Sequence, residues 1–213
     1  MTTRLIIARH GNTFLPTETP TRVGSRTDLD LVESARSEAV GNYLNQHDLK
    51  PDVVLSGPLK RHKQTAEIIC KQVTFDAELI AESHFLNEID YGPDENKLEE
   101  DVMLRLGDGD LVKGKAIIDN WNQNAVVPDG WLVDPEQLKK EWVELSQHIV
   151  EKYPDKTVLL VSSNGLMRFS NVLDESFHYE SLKVPTGGIC IFEHNGVADG
   201  SWQCKNWAVK PAR

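Results

Sequence analysis

Arg4-Leu-Ile-Ile-Ala-Arg9-His10-Gly11-Asn12-Thr13 is a short apolar run that stops abruptly at a cation, an imidazole and a glycine. It reads as a buried strand opening into a loop. In open α/β sheets, ligands bind outside the carboxyl ends of the strands. A guanidinium grips phosphate as a fork, and a neutral imidazole can attack phosphorus. The weight of this triplet depends on what the other strands end in. Asp52-Val-Val-Leu-Ser56 is a second buried strand, followed by a helix from about 59 to 72 with Arg61 in its first turns. Thr157-Val-Leu-Leu-Val161 is a third, running through Ser162 and Ser163 into a helix over 165–173. Parallel strands bring these ends to one edge, where two arginines, a histidine and helix N-termini would surround one anion.

The rest of the chain alternates in the same way, with one irregular section. Residues 32–46 read as a helix with Ala35, Ala39, Tyr43 and Leu44 on one face. Residues 75–80 read as a short strand. From 84 to 134, Gly, Pro, Asp and Asn interrupt short apolar runs, which predicts an insertion with one or two short helices, a lid over the site. Gly107-Asp-Gly-Asp110 is too short for a calcium loop and reads as a turn. Asp134-Pro135 is an N-cap with proline at the first helical position, and Leu138, Trp142, Leu145 and Ile149 mark an amphipathic helix to about 153. Residues 188–192, Asn195-Gly196 and 202–209 predict a closing hairpin. The expected fold is α/β: one domain over 1–213, a three-layer sandwich with a mostly parallel central sheet, helices on both faces and the lid-like insertion.

Composition narrows the function. The 213 residues are 39% hydrophobic and 26% charged, as in a globular domain with a sizeable core. A net charge of −10 argues against nucleic-acid and anionic-membrane partners. No run approaches the ~20 apolar residues of a membrane span, and Arg9 and His10 interrupt the first apolar stretch too early for a signal peptide. Cys70, Cys190 and Cys204 form no close-spaced pair, so free thiols and a cytoplasmic location are expected.

Taken together, the motifs resemble those of the histidine phosphatase superfamily, also called the phosphoglycerate-mutase-like family. Arg9-His10-Gly11-Asn12-Thr13 is similar to its signature. Arg22-Val-Gly24 with Asp28 and Leu31 resembles the following loop. Ser56-Gly-Pro-Leu-Lys-Arg61-His-Lys-Gln-Thr-Ala is similar to its second motif, and Leu86-Asn-Glu88-Ile-Asp-Tyr-Gly92 to the segment carrying its proton donor. The resemblance implies that His10 is transiently phosphorylated and that Glu88 protonates the leaving oxygen and then activates water, with Glu95 and Asp90 as fallback donors. Arg9, Arg61, Asn12, Ser163 and Asn164 would contact phosphate. No metal and no cofactor are implied; the partner is a phosphorylated small molecule, and oligomeric state is open, a homo-oligomer included.

Three positions depart from that pattern. The family normally has a second histidine where this chain has Ser163, often an asparagine where it has Pro16, and a Gly-Glu-Ser segment near Gly130-Trp131-Leu132. Losing one charged donor to a developing oxyanion typically costs ~10²–10³ in rate, about 3–4 kcal/mol. The expected activity is therefore a phosphomonoesterase working through phosphohistidine on His10, slowed by Ser163. One alternative is a catalytically degenerate member that binds a phosphorylated ligand or partner; another is phosphoglycerate-mutase-type phosphotransfer. His62, where the family usually has a small residue, is a candidate substitute. Against that, the sequence reading puts it on the solvent side of its helix. His84, His178 and His194 are weaker candidates.

Overall fold

The computed structural model describes residues 2–196 and 200–213. Its centre is a six-stranded sheet in the order β3-β2-β4-β1-β5-β6. The strands are β1 (Thr3–Arg9), β2 (Val53–Ser56), β3 (Ala81–Glu82), β4 (Thr157–Ser162), β5 (Ile189–His194) and β6 (Trp202–Val209). The first four in that order run parallel, and β5 and β6 add an antiparallel edge. The short strand expected at 75–80 is not there: a 3₁₀ turn, Ala77–Leu79, occupies the middle of that stretch, started by the Asp76 carboxylate accepting from Glu78 N–H, and the strand, β3, follows it. The antiparallel closing pair is present. Its connection from His194 to Trp202 exceeds the two-residue turn expected at Asn195-Gly196, and residues 197–199 lie outside the described part.

Both faces of the sheet are covered, and this explains the continuous apolar runs. In β1, Leu5 and Ile7 point to one side and Ile6 and Ala8 to the other, all fully buried. β4 divides likewise: Val158 and Leu160 join the first side, Leu159 and Val161 the second. Each such aliphatic side chain contributes about 1.5–3 kcal/mol by leaving water. Helices α1 (Ala35–Gln46) and α2 (Lys60–Val73) close the second side through Val40, Leu44, Ala66, Ile69 and Val73. The first side is covered by α3 (Glu99–Leu106), α4 (Leu111–Asn124), α5 (Pro135–Lys152) and the short α6 (Asn164–Met167), which continues as a 3₁₀ turn over Arg168–Leu173.

The helix starts follow the sequence. Asp134 accepts from Glu136 and Gln137 N–H with Pro135 in the first turn. Asp110, the last residue of the glycine-rich turn, caps α4 in the same way. The stretch 84–134 holds a short helix, α3, and a full-length one of 14 residues, α4, where only short helices are expected; the stretch is seated on the sheet by Val102, Ile118, Trp121 and Trp131. Burial pushes all three thiols up, Cys70 and Cys204 to about 12, so they are neutral near pH 7. Among the described residues no helix is long and apolar enough to cross a membrane.

Candidate active site

Register fixes where the chemistry-bearing residues fall. Arg9 pairs with Ser162 across β1 and β4, and Ser56 with Val161 across β2 and β4, so three parallel strands end level. His10, Gly57 and Ser163 are the next residues out. His10 N–H donates to Ser162 O and Gly57 N–H to Val161 O, which carries the ladder one step past the strands. Gly11 N–H donates to Thr65 Oγ1 (3.0 Å), so the β1 loop is pinned to α2 one turn beyond Arg61. The loop over 12–31 folds onto the start of the same helix, where Asp28 accepts from Lys60 N–H and Gln64 bonds Leu31 N–H and Asp30.

His10 is buried, and its Nδ1 lies 2.7 Å from the Gly11 carbonyl oxygen. A carbonyl can only accept, so Nδ1 carries the proton and Nε2 keeps its lone pair. Burial, reinforced by Arg9, Arg61 and His62, holds the imidazole pKa well below its ordinary value. His10 is thus neutral near pH 7, the protonation state a nucleophile needs.

Two guanidinia adjoin it. Arg9 donates through Nη1 to Val184 O (2.6 Å), and Arg61 through its two Nη atoms to Thr27 O and Gly24 O. The Nε–H of each is buried with no partner among the described residues. Burial lowers both pKa values, partly offset by Glu88, yet an arginine remains charged. Buried N–H groups without acceptors are rare, and a bound oxyanion would supply the acceptors.

Glu88 arrives from the insertion. Ser162 Oγ donates to Leu86 O (2.8 Å), tying that segment to the end of β4. The Glu88 carboxyl is buried and accepts from Ile89 N–H (2.9 Å) and, at 3.4 Å, from Gly165 N–H. A Cβ at position 165 would collide with this carboxylate, which is why a glycine stands there. Burial raises the Glu88 pKa against the opposing pull of Arg61 and Arg9. The fallback donors are only partly engaged: Glu95 Oε2 is buried without a partner among the described residues, and Asp90 borders the cleft beside Glu88. Glu95 Oε1 accepts from Gly24 N–H, Arg26 N–H and the Thr27 hydroxyl, and Asp90 pairs with Arg26 at 3.1 Å.

Position 62 overturns the sequence reading. His62 does not face solvent; it is 0% exposed, and its Nε2 lies 2.6 Å from Ser163 Oγ. Its ring centroid stands 5.8 Å from that of His10. Burial and then Arg61 lower its pKa to about 3, so the ring is neutral. A Cβ at Gly57 would run into this ring, so Gly57 opens the space that His62 fills. The signal was in the sequence: 62, 66, 69 and 73 follow helical spacing, and Ala66, Ile69 and Val73 are core.

The remaining candidates are near but engaged. Asn12 Oδ1 accepts from the Thr186 hydroxyl, and Asn164 Oδ1 from Val184 N–H (2.7 Å), so each amide fixes the segment that also carries Arg9's carbonyl partner. Two residues went unread in the sequence. Arg168 is fully buried, stacks 3.7 Å over the Trp121 ring, donates to Trp121 O and reaches Glu88 electrostatically. Tyr91 is buried beside Glu88, and Arg22 lies over its ring at 5.1 Å. Beside Glu88 a cleft of about 330 Å³ opens, lined by Phe85, Asp90, Leu132, Gln137, Leu138 and Glu141 among others.

This architecture has relatives. The sequence profile of the histidine phosphatase superfamily (branch 1) matches residues 5–210. No curated protein matches the sequence itself. Among solved structures, mycobacterial hydrolase 1 is similar at a TM-score of 0.76 and 15% identity, over 99% of this chain and 100% of that one. Mycobacterial glucosyl-3-phosphoglycerate phosphatase gives 0.72 at 16%, over 98% and 100%. A phosphoserine phosphatase from Entamoeba histolytica, solved with 3-phosphoglyceric acid, gives 0.69 at 19%, over 96% of each chain. At these identities the likeness is one of fold.

Proposed function

The chain belongs to branch 1 of the histidine phosphatase superfamily, and from that premise we propose that it hydrolyses small phosphomonoesters through a phosphohistidine on His10. The observation that carries this reading is a neutral His10, its Nε2 lone pair free, beside two guanidinia whose buried Nε–H groups lack acceptors among the described residues. A phosphoryl dianion placed there pairs with Arg9 and Arg61 and presents phosphorus to Nε2. Attack forms the N–P bond as the ester P–O bond breaks, and the Glu88 proton goes to the leaving oxygen. Glu88, now a carboxylate, takes a proton from water; the resulting hydroxide attacks phosphorus, the N–P bond breaks and inorganic phosphate leaves. The raised Glu88 pKa suits both half-reactions. The cleft beside Glu88 receives the leaving group, and its mixed polar and apolar lining suits a small hydroxylated molecule.

The test is steady-state hydrolysis of an aryl phosphate and of small aliphatic phosphomonoesters, wild type against His10→Ala. Wild-type turnover with stoichiometric release of inorganic phosphate is expected, and none from the variant. Retained turnover in His10→Ala overturns the mechanism. Phosphate moved between positions of the substrate, rather than released, would instead make the chain a mutase. Binding of inorganic phosphate by a wild type that hydrolyses nothing would make it a phosphoryl-binding protein.

A further inference from the structure

The His62–Ser163 contact has no role in the steps above, and it rests on an unusual arrangement. Two polar side chains, each 0% exposed, meet at 2.6 Å between adjacent layers of the fold, one from the first turn of α2 and one from the end of β4. Ser163 stands next to His10 in the ladder, since His10 N–H bonds Ser162 O. His62 Nδ1 has no partner among the described residues, and the Ser163 hydroxyl has none other than His62. Two proton arrangements are open to the pair. With the ring proton on Nδ1, that buried N–H is orphaned and the Ser163 proton is consumed by Nε2. With it on Nε2, the ring donates to Oγ, the unsatisfied ring atom is an acceptor, and the Ser163 O–H is released. With no anion bound, each arrangement leaves one buried donor without an acceptor, the Nδ1–H in the first and the Ser163 O–H in the second. A phosphoryl oxygen beside His10 would pair the Ser163 O–H and so favours the second arrangement. A free hydroxyl donor then stands beside the nucleophile, where it lacks only an acceptor.

We infer that the Ser163 hydroxyl is a catalytic donor to the transferring phosphoryl group, and that His62 is the positioning residue that turns its proton toward that group. This rests on the phosphomonoesterase reading. Arg9 and Arg61 supply the positive charge; the pair adds a directed, neutral hydrogen bond on the β4 side. Gly57 belongs to the device, because any larger residue there would displace the ring.

The experiment compares wild type with Ser163→Ala, His62→Phe, His62→Gln and the Ser163→Ala/His62→Phe double variant. It measures kcat and KM for an aryl phosphate and the Kd of orthovanadate. Ser163→Ala and His62→Phe should each lower kcat ~10–100-fold with little change in KM and weaken vanadate ~10-fold or more. The double variant should lose no more than either single, because His62 acts only through Ser163. His62→Gln, which can present an amide N–H near the Nε2 position, should recover most of the lost kcat; a purely structural histidine would show no such split between Gln and Phe. Melting curves check folding, and Ser163→Ala, a near-isosteric change, keeps the comparison usable if His62→Phe fails to fold. Singles with wild-type kcat and vanadate affinity, or losses that multiply in the double, overturn the inference while leaving hydrolysis intact. If wild type hydrolyses nothing yet the vanadate losses follow the predicted pattern, the esterase reading falls and the pair stands as an anion donor.

Discussion

The ends of β1 and β4 are neighbours in the sheet and opposites in chemistry. β1 ends in Arg9-His10: a half-buried cation, and a ring whose tautomer is dictated by one carbonyl. β4 ends in Ser162-Ser163: two hydroxyls, one anchoring the Glu88 segment and the other backed by a histidine from another element. The first end assembles its function within two consecutive residues. The second borrows from α2 and depends on Gly57 to make room. A self-sufficient strand end can be read from sequence, whereas a composite one needs the fold.

That contrast can be broken experimentally. The largest effect should come from the self-sufficient end: His10→Ala should remove turnover to the buffer level while leaving the fold intact, measured by phosphate release and thermal melting. Glu88→Gln should lower kcat ~10²–10⁴-fold for an alkyl phosphate, the range for one general acid–base group, with inorganic phosphate affinity nearly unchanged. At the composite end, Ser163→His alone should not help. Its imidazole meets the His62 ring already packed there, and overfilling a tight site typically costs about 1–3 kcal/mol, read as a lower Tm. Combined with His62→Ala, the same substitution has the vacated space and should recover both Tm and kcat.

A smaller effect separates the two ends by pH. His10 and His62 both have folded pKa values below the unfolded value near 6.5, His62 at about 3. The unfolded chain therefore binds more protons below pH 6.5. Stability from these neutral rings is complete above that pH and is lost as pH falls, at about 1.4 kcal/mol per pH unit per histidine, until the folded pKa is reached. His62→Phe should remove one histidine's share of that slope between pH 6 and 4.5, measured by urea unfolding. An unchanged slope would mean that His62 is charged in the folded protein.

Much of this architecture was legible beforehand, for identifiable reasons. Strands covered on both faces must be apolar at every position, so β1, β2 and β4 stand out as unbroken runs, and the residue that ends each run marks the ligand edge. Asp134-Pro135 gave the start of α5 because capping is a local interaction. His62 was misread because a histidine next to an arginine in a helix's first turn looks like a solvated pair, yet Arg61 and His62 are both fully buried. The 3.6-residue spacing to Ala66, Ile69 and Val73 outweighed local polarity. β3 eluded the reading because it has only two residues, both exposed, held by pairing with β2 rather than by any pattern of their own. Arg168 and Tyr91 carry no motif; they come close to Glu88 through packing of the insertion.

The central claim is that phosphorus passes through His10 and not through its hydroxyl neighbour. Glu88→Gln with an aryl phosphate tests this directly, because a good leaving group needs no proton while breakdown of the intermediate still needs the missing base. With the reaction split between an alkaline and an acid quench, mass spectrometry of the peptides should find the phosphoryl group on His10 in the alkaline arm and none in the acid arm. A phosphoryl group on Ser163, stable to acid and labile to base, would contradict the account. So would an unlabelled protein that still turns over.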